Sequence, residues 1–244
     1  MIDSQLAQRR PATATPPRLT PAPPPARART VGWALVAVAA LVGLVVRSDV
    51  AHPWFQRMDD RWLSWMGGPH QGLPQAVASG LDWFGRPSGM LVTAGLLLLL
   101  LALRRPWSAL YALSATLLSS VVVQVLKHLV DRPRPPHPLV VVDHGSFPSG
   151  HAASAATLVV ILAAVLVPLL ARRWWWLFGG TFTVLMMWSR TWLHAHWLSD
   201  TAVGALVGAG VALLLWQAFA SLIARDARRG VSRASRSTVT ASAA

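Results

Sequence analysis

Residues 107–136 read WSALYALSATLLSSVVVQVLKHLVDRPRPP, and the order of events in this stretch decides the fold. From Trp107 to Val130 the only formally charged residue is Lys127, close to the end. At about 1.5 Å per residue that length crosses the roughly 30 Å hydrocarbon core of a bilayer. Only helices and closed barrels satisfy their backbone in lipid, and a run this long and continuous does not suit a barrel strand. It is therefore expected to be a transmembrane helix. Pro133, Pro135 and Pro136 cannot continue it, so the chain leaves the membrane as an extended strap that carries Arg132 and Arg134 beside Lys127.

Five further apolar runs lie around this one, at about 31–46, 88–103, 152–171, 174–192 and 198–223. Composition agrees with lipid as the main solvent. Of 244 residues 54% are hydrophobic and 13% charged, against about 25% charged in soluble domains. Mean hydropathy is +0.46. The expected fold is all-α, a polytopic membrane protein of six transmembrane helices. The absence of cysteine excludes disulfides and thiolate metal sites.

The ends of the chain are basic. Residues 1–29, rich in Pro, Ala, Thr and Arg, read as a disordered tail. Residues 30–224 form the membrane domain, and residues 225–244 a basic tail. The first apolar run lies too far in for a signal peptide and lacks a small-residue cleavage site, so it is expected to stay as an anchor. With the N-terminus in the cytoplasm, fourteen of the 22 basic residues fall inside and seven of the nine Asp fall outside. The positive-inside rule then puts both termini in the cytoplasm of an inner (plasma) membrane protein. The net charge of +13 is explained by these flanks, which argues against nucleic acid as a partner. In the first outer loop Trp54, Phe55, Met58, Trp62, Trp65 and Met66 recur at helical spacing, with Arg57, Asp59, Asp60 and Arg61 on another face. Such a helix either lies in the outer interface or packs on the bundle.

Three polar clusters stand at span ends. Lys127 and Arg134 could grip phosphate, Lys as a point charge and Arg bidentately, or could be a plain basic boundary. Arg132 is expected to pair with Asp131. In Pro148-Ser149-Gly150-His151, Ser149 suits an N-cap, and free N–H groups at a helix start favour an anion. A capped helix with an interfacial histidine is the plainer alternative. In SRTWLHAHWLSD, Ser189, Arg190, His196 and Asp200 join the fifth and sixth spans. His196 and Asp200 would share a face of a helix, where a carboxylate fixes an imidazole tautomer. A structural ion-pair network is the alternative. By topology all three clusters reach the outer side. Two histidines, a carboxylate and at least three cations suit phosphoryl transfer.

At these residues the sequence resembles the type 2 phosphatidic acid phosphatase (PAP2) superfamily, which also includes vanadium haloperoxidases. The pattern K-x6-R-P, P-S-G-H and S-R-x5-H-x3-D is met in order and spacing over about residues 88–215. One departure is His194, where many relatives carry Gly. The resemblance implies that His196 attacks phosphorus and forms a phosphohistidine, that Asp200 orients it, and that His151 protonates the leaving oxygen and then activates water. It implies that Lys127, Arg134, Ser149, Gly150 and Arg190 hold the phosphoryl oxygens, with no metal and no other cofactor. The haloperoxidase reading is disfavoured, because those relatives are soluble.

The expected activity is hydrolysis of a lipid phosphate or pyrophosphate at the outer membrane face. Undecaprenyl pyrophosphate is favoured as substrate, ahead of phosphatidylglycerol phosphate and phosphatidic acid. A lipid phosphotransferase on the same fold, or a non-enzymatic polytopic protein for lipid binding or transport, would leave much the same sequence.

Overall fold

The computed structural model describes residues 23–86 and 89–241, with side chains to residue 226 and at 228. Most of the N-terminal tail thus lies outside the described residues. Within them the chain is all-helical, with no strand. In order come α1 (Ala28–Ser48), α2 (Gln56–Trp65), α3 (Gly72–Gly85), α4 (Met90–Ala102), α5 (Pro106–Val130), α6 (Gly150–Val165), a short 3-10 turn (Leu169–Ala171), α7 (Arg172–Trp192) and α8 (Leu198–Ala241).

Three helices among the described residues are long and apolar enough to cross a membrane: Ala28–Ser48, Pro106–Val130 and the Leu198–Asp226 part of α8. The pair α3 and α4, bent by 57°, makes a fourth if it is one span. α6 is apolar but has 16 residues, and α7 is long but mixes Arg, Thr and Trp into its apolar sequence. The protein is an integral membrane helix bundle. All six apolar runs of the sequence are helical over most of their length, though the run at 152–171 breaks after Val165, before Pro168, and α8 continues its backbone helix to Ala241. α3 is an element the sequence reading did not separate from the outer loop.

Local chemistry explains the ends. Pro106 opens α5, where its missing N–H costs nothing. Asp131 closes α5 in the left-handed region, φ 45°, its N–H bonded to the Lys127 carbonyl at 2.9 Å. At the other end of the bundle the buried carboxylate of Asp226 accepts from the Ser108 N–H at 2.8 Å and its hydroxyl at 2.9 Å, satisfying the start of α5 from α8.

α6 is the most enclosed helix, packed between α5, α7 and α8. Its buried residues include Ala152, Ala153, Ala155, Ala156, Ala163 and Ala164, small residues that let helices approach where lipid supplies little hydrophobic force between them. The closest approach is to α8. A Cβ on Gly204 would lie 2.3 Å from the Ser149 carbonyl oxygen, and one on Gly208 only 2.1 Å from that of Ala153. This Gly-x-x-x-Gly spacing sets the start of α6 directly against the start of α8.

α2 is docked on the bundle, and the inward face is polar. Asp59 and Gln56 are buried, while Trp54, Met58 and Trp65 are exposed. Trp62 donates from its indole to the Thr191 hydroxyl at 2.9 Å.

Candidate active site

The strap at 131–149 and the loop at 193–197, between α7 and α8, are stitched together at one end of the bundle. Leu139 N–H donates to the Leu193 carbonyl at 3.0 Å, the Trp197 indole donates to the Pro133 carbonyl at 2.9 Å, and Arg134 Nη1 donates to the Ala195 carbonyl. The Ser149 N–H donates to the Asp200 carbonyl at 3.0 Å. Ser149 N-caps α6, accepting from the Ala152 N–H, and Gly150 is the first helical residue. The three sequence clusters, drawn from α5, α6, α7 and α8, therefore meet.

His196 lies in the loop and is buried, at 4% exposure. Its Nδ1 is 2.6 Å from the Ser146 carbonyl oxygen. A carbonyl can only accept, so Nδ1 carries the proton and Nε2 keeps its lone pair. That lone pair lies 3.4 Å from Arg134 Nη1. Burial pushes the imidazole pKa down to about 3; Arg134 and Arg190 add to the effect, while Asp200 opposes it. The ring is neutral near pH 7, the state a nucleophile requires.

Asp200 stands 3.9 Å from His196 Nδ1, too far for a hydrogen bond. Its oxygens are engaged elsewhere, with Arg132 Nη1 at 2.6 Å and the Trp197 N–H at 3.0 Å. In this structure the direct hydrogen bond that orients the ring is the one to Ser146. Nor does Arg132 pair with Asp131. It is almost fully buried and bonds to Asp59 at 2.9 Å, Gln56 at 2.5 Å and the Ser199 hydroxyl at 2.8 Å as well as to Asp200. Asp59 in turn accepts from the Ser199 N–H at 2.9 Å and its hydroxyl at 2.6 Å. The winning effect is the need to pair a buried carboxylate on α2.

The cations of the site already hold carboxylates. Lys127 Nζ donates to Asp143 Oδ1 at 3.1 Å and to the Gly145 carbonyl at 2.9 Å. Arg134 Nη2 bonds the same Asp143 oxygen and the Gly145 carbonyl, the latter at 2.9 Å. Burial alone would raise the Asp143 pKa, but Lys127 and Arg134 hold it below the usual carboxylate range. Arg190 Nη1 bonds Asp82 of α3. His151 Nε2 lies 3.2 Å from the Asp82 carbonyl oxygen and 3.5 Å from its carboxylate. Arg190 Nε is buried without a hydrogen-bond partner, a donor still available to an oxyanion. Lys127, Arg134 and Arg190 thus stand near the start of α6; among the described residues no group of three or more His or Asp side chains could hold a metal ion.

Asp82, Asp143 and Ser146 are not singled out by the sequence, and Asp59 is legible there only as part of a polar helix face. A signal was present, since most of the Asp residues fall on the outer side and a carboxylate within an apolar segment needs a partner. Ser146 acts through its main chain, which no side-chain pattern reveals.

Comparisons with known proteins follow the same lines. Residues 108–223 match the model of the PAP2 superfamily. The fold is similar to the crystal structure of a transmembrane PAP2-type phosphatidylglycerolphosphate phosphatase from Bacillus subtilis, with a TM-score of 0.65 and 24% identity over 75% of this chain and 93% of that one. No curated protein matches the sequence significantly.

Proposed function

From the PAP2-superfamily segment at residues 108–223, we propose that the protein is a membrane phosphatase acting on a lipid phosphate or pyrophosphate. One observation carries the reading. His196 keeps an unprotonated Nε2, reached at 3.4 Å by the Arg134 guanidinium, its other nitrogen tied to a carbonyl, in a site that also holds Lys127, Arg190 and a second imidazole.

In the mechanism this supports, Arg134, Lys127, Arg190, Ser149 and the Gly150 amide hold the phosphoryl oxygens. His196 Nε2 attacks phosphorus, and the bond to the leaving oxygen breaks as His151 donates a proton to it. His151 then takes a proton from water, whose oxygen attacks phosphorus and releases His196 and inorganic phosphate. Asp200 favours the imidazolium that forms. Fixed cations meet the charge developing on the equatorial oxygens, so the reaction runs without a metal ion.

Six crossings, with both termini in the cytoplasm and α2 in the outer interface, would put the site at the extracytoplasmic surface of an inner membrane. The exposed Trp54 and Trp65 fit that level of the bilayer. An apolar groove of about 460 Å³, lined in part by Val42, Phe55, Met58, Val203 and Leu206, opens beside Ser199 and offers room for a lipid chain. Undecaprenyl pyrophosphate is the favoured substrate, with phosphatidylglycerol phosphate and phosphatidic acid next.

The test is phosphate release by purified protein on a panel of prenyl pyrophosphates and glycerophospholipid phosphates. The expected result is release of free phosphate that persists in EDTA and is abolished in His196→Ala. Full activity in that variant, or a phosphorylated acceptor with no free phosphate, would overturn the reading.

A further inference from the structure

We propose that Asp82 is a placeholder for a phosphate oxygen, and that its hold on Arg190 and His151 makes the site select terminal phosphates over phosphodiesters. The inference rests on the phosphatase reading above.

Asp82 belongs to α3, outside the three motifs, and is buried at 6% exposure. One carboxylate oxygen bonds Arg190 and lies 3.5 Å from His151 Nε2; the other accepts from Arg86 Nε at 2.6 Å. It thus occupies the position between a guanidinium and an imidazole that a phosphoryl oxygen would take up. Its approach is built into the backbone. Gly85 sits against the His151 ring, and a Cβ there would fall 1.9 Å from His151 Cδ2. Any larger residue would have to displace either the imidazole or the end of α3.

The carboxylate does not saturate its partner. Arg190 Nε is buried and unpartnered while Nη1 is engaged. A group with three terminal oxygens could take both donors, which a displaced carboxylate oxygen does not.

The exchange then sets a charge threshold. A phosphodiester carries one negative charge over two free oxygens, much as a carboxylate does, and gains nothing by displacing Asp82. A terminal phosphate carries about −1.5 to −2 near pH 7 and three acceptor oxygens, so it gains both charge and hydrogen bonds. Ordinary phosphodiester headgroups, which crowd the same surface, would be left outside.

The experiment measures direct binding to the purified full chain of two probes, inorganic phosphate and dimethyl phosphate, in the wild type, Asp82→Asn and Asp82→Glu. The wild type and Asp82→Glu should bind phosphate, more tightly as pH rises through about 7, and exclude the diester. Asp82→Asn should bind dimethyl phosphate about tenfold or more tightly than the wild type does, since a charged competitor has gone. Equal binding of both probes by the wild type overturns the proposal whatever the variants do. A diester still excluded by folded Asp82→Asn overturns it while leaving the phosphatase reading intact. No phosphate binding by the wild type overturns both.

Discussion

Arg132 and Arg134 stand two residues apart on the same proline-stiffened strap, yet they belong to different regions with opposite chemistry. Behind the His196 loop, Arg132 is sealed among Asp59, Gln56, Ser199 and Asp200, with the Trp197 ring 5.4 Å from its guanidinium carbon. In front of the loop, Arg134 shares Asp143 with Lys127, and Asp143 is 56% exposed at its side chain. One guanidinium has partners that cannot leave; the other has a partner that solvent or a ligand can replace. The first region supports the loop that carries His196, and the second is the one that binds phosphate in the proposed mechanism.

Substituting the two arginines alike should break them apart most clearly. Arg132→Met leaves two buried carboxylates unpaired, a loss of about 3–5 kcal/mol that should abolish a folded peak in detergent. Adding Asp59→Leu should recover part of it, because one orphaned charge is then removed. Arg134→Met should instead keep the thermal midpoint within a few degrees and lower kcat/KM by about 10²–10³-fold. If both variants lose stability equally, the division between the two regions is wrong.

The small-residue contact sharpens the comparison from below. Gly208→Ala would drive a Cβ into the backbone of α6, which does not yield cheaply, and so would shift His151 relative to His196. A misplacement near 1 Å is expected to cost about 10²-fold in rate. Gly95→Ala is the control, since nothing lies within 4 Å of its added Cβ. Phosphate release from the two variants, each with its thermal midpoint, checks this; equal activities would remove the role given to the α6–α8 contact.

These cases mark what the sequence made legible. The apolar runs announced the bundle, because a span of lipid demands length and continuity. Lys127, Ser149, His151, Arg190 and His196 stood out as polar or charged residues at the ends of apolar runs, and the fold brings their segments to one end of the bundle. Two kinds of feature were not. Pairing between distant carboxylates and arginines depends on packing, so Arg132 was assigned to its neighbour Asp131 rather than to Asp59, far away in sequence. Main-chain partners carry no side-chain signature, so Ser146 went unseen as the group that fixes the His196 tautomer. α3 was hidden by the Gly and Pro residues that flank it.

The burial that readies His196 should also write itself into stability. Below the unfolded pKa of about 6.5 the unfolded chain takes up a proton that the folded chain refuses down to about 3. Stability is therefore complete above pH 6.5 and falls as pH drops. By pH 5 the wild type should lose about 2 kcal/mol more than His196→Gln, at about 1.4 kcal/mol per pH unit. Thermal midpoints of both proteins from pH 7.5 to 5 check this, and parallel lines would show that His196 titrates like an exposed histidine.

The smallest effect concerns the one departure from the family pattern. His194 holds φ at 51°, in the left-handed region that glycine adopts freely and most side chains do not. The turn that swings His196 toward Arg134 adopts that conformation, which glycine would take up without strain. Here the ring of His194 also packs edge-on against His70, with centroids 5.2 Å apart, tying the loop to the segment before α3. His194→Gly relieves the backbone but gives up that contact, so the net gain in stability should be no more than about 0.5–1 kcal/mol, with kcat little changed. A destabilised variant would show that the ring contact outweighs the strain and that the region in front of the loop is held more firmly than its exposed Asp143 suggests.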